Sequence, residues 1–313
     1  MSVRRIIRAV VVLAAMQAMP LSAADAPKPA GNTGGQGGAQ GGDSGPLDIT
    51  ADHDLEWLQQ DKAYVARGNA VAKRGTVTLT GDILTAFYRP KVAPDAGAPP
   101  PPAAQAADKK PGQEGFDTDN TDIWRVVAQG DVHISSQGKD AWGDHMDYDK
   151  DKDVVVLTGG ALKGKTETET VTARDSLEYW QTQNMGVARG DAVVTKANGQ
   201  SLAADLIGAH FEKDSTGHSS MKTIQAIGHV VITTASDIVH GDEGTYDLQS
   251  RRTVVFGNVR VTRGESVLEG ESADVNMDTG ISQVFPGKGK RVKGLFVHEK
   301  ANAAQPAAPG GHP

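Results

Sequence analysis

The sequence predicts an all-β protein assembled from stacked repeats, and three observations carry that reading. Short runs alternate apolar and polar residues, the period of a strand with one buried face. An aromatic residue, a glycine and an acid recur at fixed intervals. Trp57 to Gly68, Tyr148 to Gly159, Tyr179 to Gly190 and Tyr246 to Gly257 are all eleven residues apart. Gly68 to Asp82, Gly130 to Asp144, Gly228 to Asp242 and Gly257 to Glu271 are all fourteen. A period of about 29 residues marks supersecondary units that bury their apolar faces only by stacking. Third, aromatic content is 5% and 37 of 313 residues are glycine, which suits a thin, turn-rich β body better than a thick-cored enzyme domain.

Met1 to about Ala24 reads as a secretory signal. Arg4, Arg5 and Arg8 give the charged start, Ile6 to Met19 the apolar segment, and Ser22-Ala23-Ala24 the small residues for cleavage. The apolar segment falls short of the ~20 residues a membrane span needs, so a cleaved signal is expected over a retained anchor. Residues 25–46 are rich in Gly, Gln, Ala and Pro and form a flexible leader. The repeat body runs over 47–300, interrupted by a Pro/Ala-rich insertion at about 90–115 that should project from a turn. A smaller insertion lengthens the turn near Lys213 to Ser220, and residues 301–313 are again disordered in composition.

One unit is exemplified by VHGDEGTYDLQSRRTVVFGNVRVTRG, Val239 to Gly264. Its glycine interrupts a strand, where it marks a bulge or corner. After the glycine the inward series is Val132/Ile134, Ala192/Val194, Val230/Ile232 and Val259/Val261, with Ala70/Ala72 a weaker copy. The intervening His133, Val193, Val231 and Arg260 vary freely, as an outer face permits. The recurrent acid reads as turn chemistry rather than catalysis, because its copies share one structural phase. With each unit giving one strand to each of two sheets, about seven units spaced ~4.8 Å make a stack of about 34 Å. The inward stripe, which carries no repeated acid, is either an open apolar groove or an ordinary closed core.

Candidate chemistry is sparse. Gly159 to Thr166 (GGALKGKT) fits the P-loop spacing, but the alternating run Glu167 to Thr172 follows where a helix is required. The nine histidines form no ligand pair at metal spacing, although His229 and His240 flank one strand turn. Without cysteine there is neither a disulfide nor a thiolate site. Net charge −7 and a pI near 5.7 argue against general nucleic-acid binding. Neither catalytic residues, metal ligands nor a cofactor are expected, and the protein is read as non-enzymatic. One basic cluster stands out, Lys288, Lys290, Arg291 and Lys293, suited either to a solvated strand or to an anionic partner.

Several segments together resemble the OstA/LptA family of periplasmic lipopolysaccharide-transport proteins. LDITAD at 47–52 resembles the opening strand and RGNAVAKRGTVTLTGD at 67–82 the first hairpin. VVVLTGGALKG at 154–164 and VVFGNVRVTRG at 254–264 resemble its repeat strands, and GKGKRVKGLFV at 287–297 its closing strand. The resemblance implies an antiparallel β-jellyroll (a β-taco) of two facing sheets open at both ends. It favours the groove, with lipopolysaccharide acyl chains lying against Ile49, Val132, Ile134, Val194, Val230, Ile232, Val259 and Val261. It implies a periplasmic bridge that pairs edge strands with inner-membrane-anchored and outer-membrane transport proteins, and head-to-tail self-association. The expected edges carry Leu47 and Ile49 at one end and Val292, Leu295 and Val297 at the other, apolar and free of proline. The competing reading is a structural or adhesive exported β-solenoid without lipid cargo. A carbohydrate-active enzyme would need paired carboxylates at a special, non-repeating site.

Overall fold

The computed structural model describes residues 47–90, 121–213, 219–276 and 282–297. The anticipated signal, the leader, nearly all of the Pro-rich insertion and the tail lie outside these residues. Every regular element described is a strand. The chain opens with β1 (Asp48–Thr50) and β2 (Asp54–Leu58), followed by β3 (Ala63–Arg74), β4 (Val77–Pro90), β5 (Thr121–Ser136) and β6 (Lys139–Asp149). Four short strands come next: β7 (Val154–Thr158), β8 (Lys163–Lys165), β9 (Glu169–Thr172) and β10 (Ser176–Trp180). Then come β11 (Met185–Lys196), β12 (Ser201–Lys213), β13 (Ser219–Thr233), β14 (Ile238–Asp247), β15 (Arg252–Arg263) and β16 (Ser266–Asn276). Two further short strands, β17 (Ser282–Phe285) and β18 (Lys293–Leu295), close the described chain.

All eighteen strands join one antiparallel sheet. Four pairs of short strands act as single broken rungs. β1 and β2 both lie on β3, β7 and β8 on β6, β9 and β10 on β11, and β17 and β18 on β16. Counting each pair once leaves fourteen rungs, so at ~4.8 Å per step the stack is about 62 Å long. The shorter estimate from sequence assumed that each strand belongs to one wall. Instead every rung crosses both walls and each repeat supplies two rungs.

The crossing is made at the recurrent glycine. In β15, Gly257 and Asn258 both adopt left-handed backbone, with φ of 75° and 48°. The ladder to β16 skips from Phe256 to Val259 at this point. Glycine takes this conformation without the cost of a Cβ, and asparagine tolerates it. The same two-residue step recurs at Gly68-Asn69, Gly130-Asp131, Gly190-Asp191 and Gly228-His229. Each step falls at a register shift and bends its rung, turning one sheet into two facing walls.

The recurrent acid sits beside the corner one rung back. Asp242 accepts a hydrogen bond from Nδ2 of Asn258 at 2.8 Å, and Asp52 accepts one from Asn69 at 2.8 Å. Asp205 meets Nδ1 of His229 at 2.9 Å, and Asp144 accepts from the backbone N–H of Gly160 at 2.7 Å. The turn-chemistry reading of these carboxylates is therefore correct. Gly257 packs on Asp242, the acid fourteen residues after Gly228, the corner glycine of the preceding unit.

The walls close on alternating side chains. Before the corner β15 turns Thr253 and Val255 inward, and after it Val259 and Val261, while Phe256 and Arg260 face out. One cluster joins both walls from Ala66 and Leu79 to Ile207 and Val230, with Tyr148, Tyr179 and Phe211 near its middle. A smaller cluster, centred on Val239, Val255 and Val259, fills the C-terminal end. The corner gives a direct test. A Cβ at Gly257 would collide with Oδ2 of Asp242 and also carry the strain of a positive φ. Gly257→Ala should cost about 2 kcal/mol or more in urea unfolding. Adding Asp242→Ala should restore part of that loss, and strict additivity of the two changes would refute the corner contact.

Candidate functional site

Among the described residues two clefts open between the walls. A first cleft, about 930 Å³ with its mouth, lies under β1 to β6 and is lined by Ile49, Leu55, Tyr64, Leu79 and Met146 among others. A second, about 700 Å³ with its mouth, lies under β9 to β15 against Val194, Leu202, Met221, Ile224 and Ile232. Leu157, Tyr179 and Phe211, all buried, belong to the cluster that packs the interior and line neither cleft. The choice between groove and closed core thus has a mixed answer along one stack.

The residues expected to line a groove divide accordingly. Ile49 borders the first cleft, and Val194 and Ile232 border the second. Val132, Ile134, Val230, Val259 and Val261 point into the same interior but are packed in its filled parts. The inward series marks the interior face; periodicity carries no information on where facing side chains leave space.

Among the described residues both ends of the sheet are open edges. At the first, β1 and β2 pair only with β3 among these residues, and Leu47 and Ile49 face the first cleft. The aromatics Trp57, Tyr64 and Tyr88 form a group there, Trp57 donating its indole N–H to the Tyr88 hydroxyl at 2.7 Å. At the other end β17 and β18 pair, among the described residues, only with β16. Leu295 is 61% exposed, with Val292, Phe296 and Val297 exposed beside it. Sequence reasoning placed the edges at the outermost segments and missed β2 and β17, the other halves of the same broken rungs. The basic cluster lies on this second edge, where Lys290 reaches Glu271 at 3.2 Å.

The other candidates resolve into scaffold. Gly159 is a corner with φ of 135°, and Lys163–Lys165 form strand β8, so no helix opens after the P-loop look-alike. His229 pairs with Asp205, which raises its pKa, while His240 stands opposite Val231. No group of three metal-ligating side chains occurs among the described residues.

One inward acid was missed. Glu169 on β9 is buried and faces the second cleft, and its Oε2 has no hydrogen-bond partner. Burial pushes its pKa up to about 7, partly offset by the charge of Lys196. Other buried carboxylates are satisfied. Glu178 accepts from Arg189, Ser176 and Trp180, and Asp237 accepts from Arg263 and Ser236. The missed signal was phase: Glu169 and Val171 are both inward on a strand that Thr170 and Thr172 make look polar.

Comparison with known proteins places this architecture. The sequence matches the family described as LptA/(LptD N-terminal domain) LPS transport protein twice, over residues 48–174 and 170–281. The chain belongs to this family. The two matches meet at β9, where broken rung β7/β8 pairs with broken rung β9/β10. No curated protein matches the chain in sequence. Among solved structures it is similar to LptH from Pseudomonas aeruginosa, described as the LptA-homologous periplasmic component of the lipopolysaccharide transport device. Identity is 19% over 42% of this chain and 95% of that one, with a TM-score of 0.35.

The Glu169 carboxyl should leave a mark on stability. Unfolded, it ionises near 4.5; folded, it holds its proton to about 7. Between these values the unfolded chain binds fewer protons, so stability falls as pH rises, and the loss is complete above about 7. Allowing for partial solvent screening, the loss is on the order of 2 kcal/mol. Urea unfolding from pH 4.5 to 8 should show Glu169→Gln losing less stability than the parent. Identical pH slopes in the two proteins would refute the burial argument.

Proposed function

We propose that this member of the LptA/LptD N-terminal family is a periplasmic bridge that carries lipopolysaccharide from the inner to the outer membrane. Its acyl chains would rest between the β walls. The carrying observation is the unfilled apolar space between those walls, bordered by Ile49 in one cleft and by Val194 and Ile232 in the other. Each methylene moved from water into such a space gains about 0.8 kcal/mol. No nucleophile, metal or cofactor chemistry is needed for that task, and the protein acts as a binding module rather than an enzyme.

Docking would use the two edges. β1/β2 and β17/β18 leave main-chain groups on one side of each terminal rung, and strand addition supplies affinity through main-chain bonds. Because the two ends differ, the contact is head-to-tail. An inner-membrane-anchored component would meet one end and an outer-membrane component the other, with self-association by the same contact. The described interior joint, where β7 pairs with β10 and β8 with β9, has the same form as that contact. An exported signal at 1–24 fits this location. A purely structural β-solenoid would leave the clefts without cargo.

Two measurements test the proposal. A photo-crosslinker at Ile232 should capture lipopolysaccharide, whereas one at Val231, on the other face of β13, should not; equal capture would remove the cleft argument. Leu295→Pro removes one N–H from the last rung. It should abolish binding to one transport partner in pull-down while circular dichroism stays unchanged. Undiminished binding of both partners would sink the edge-pairing mechanism and leave cargo binding untouched.

A further inference from the structure

The two clefts differ in one polar feature each. Among the described residues, Arg74 Nε at the first cleft and Glu169 Oε2 at the second are buried and without a hydrogen-bond partner. An apolar strand residue at position 169 would fill the second cleft at no polar cost. A buried carboxyl oxygen left unpaired is unfavourable, and hydrocarbon alone offers it nothing. The remaining titratable groups at this cleft are Lys196 of β11 and Tyr246 of β14. Lys196 is the cross-strand neighbour of Glu169, yet no ion pair forms between them. Elsewhere the chain saturates its buried acids, as at Glu178 and Asp237, so the exception is local to the open space.

We infer that the second cleft is a subsite for a hydroxyl-bearing acyl chain, with Glu169 accepting the hydrogen bond that the chain's hydroxyl donates. The surrounding Val194, Leu202, Met221, Ile224 and Ile232 take the methylenes, and the carboxyl fixes how far the chain slides in. A hydroxyl is the smallest donor that a hydrocarbon chain can bring into such a space. The first cleft presents a guanidinium N–H donor in place of this acceptor. This inference rests on the lipid-carrying reading and adds a selectivity to it.

The test uses the full chain and two amphiphiles, N-tetradecanoyl-glucosamine 1-phosphate and its 3-hydroxytetradecanoyl counterpart, measured by titration calorimetry. The parent protein should bind the hydroxylated chain about tenfold more tightly. Glu169→Leu should bind both alike. Glu169→Gln, whose amide oxygen still accepts, should keep part of the preference. Equal affinities in the parent, or a preference that survives in Glu169→Leu, would overturn the inference while leaving the carrier intact. Binding of neither amphiphile would remove the carrier reading and the subsite together.

Discussion

The structure depends on a bend of two residues. Without the left-handed step at Gly257-Asn258 and its copies, fourteen antiparallel rungs would form one broad twisted sheet with an apolar face open to water. The step costs conformational freedom in the unfolded chain and breaks the ladder locally. It is offset where the acid of the preceding rung, Asp242 or Asp52, takes up the side chain of the corner residue. The corner also holds its neighbours in register, because a one-residue slip would move every inward side chain outward. Fold, interior and edges all follow from repeating this one contact.

Much of this was legible in residues. The alternation Val259, Arg260, Val261 set the inward face, and the recurring glycine set the corner. What the spacing could not give was third-dimensional. The recurring interval set Asp242 fourteen residues after Gly228, and only antiparallel stacking shows that it lies against Gly257. Strand β2 escaped notice because its alternation, Asp54, Leu55, Glu56 and Trp57, spans barely one short strand, and its Leu55 and Trp57 stay exposed at the edge. Glu169 escaped because threonines mask its phase. Position within the stack decides whether an inward valine lines space or fills it: Val194 does the first and Val261 the second, from the same phase of their units.

The filled middle has its own physical cause. Large side chains from successive rungs pack together there: Leu157 on β7, Tyr179 on β10, Phe211 on β12. The clefts are bordered by large residues too, Tyr64 and Met146 in the first and Met221 and Tyr246 in the second, which do not fill them. Tyr179 and Phe211 pack edge to face with ring centroids 6.4 Å apart, a geometry that holds two walls together as well as filling space. The aromatic of each unit therefore does more than mark the repeat, and its effect depends on its place: Tyr179 packs the core, whereas Tyr148 borders the first cleft and Tyr246 the second.

That pinning bears on how cargo would pass. The two family matches abut at β9, and the sheet continues through the join without losing a rung. Main-chain continuity, however, is not continuity of the interior. Gly143 leaves room for Leu157 and Leu162, where a Cβ would collide, and Leu157, Leu162 and Tyr179 are all buried in the packed interior. An acyl chain moving along the stack would have to displace these side chains or leave the interior at the open side of the walls. The open side costs less. Backing out exposes methylenes for a short distance, whereas parting the core exposes chain and core alike and breaks the aromatic contact. On the lipid-carrying proposal, two clefts with unlike polar groups, Arg74 and Glu169, would then be separate resting places along one sheet.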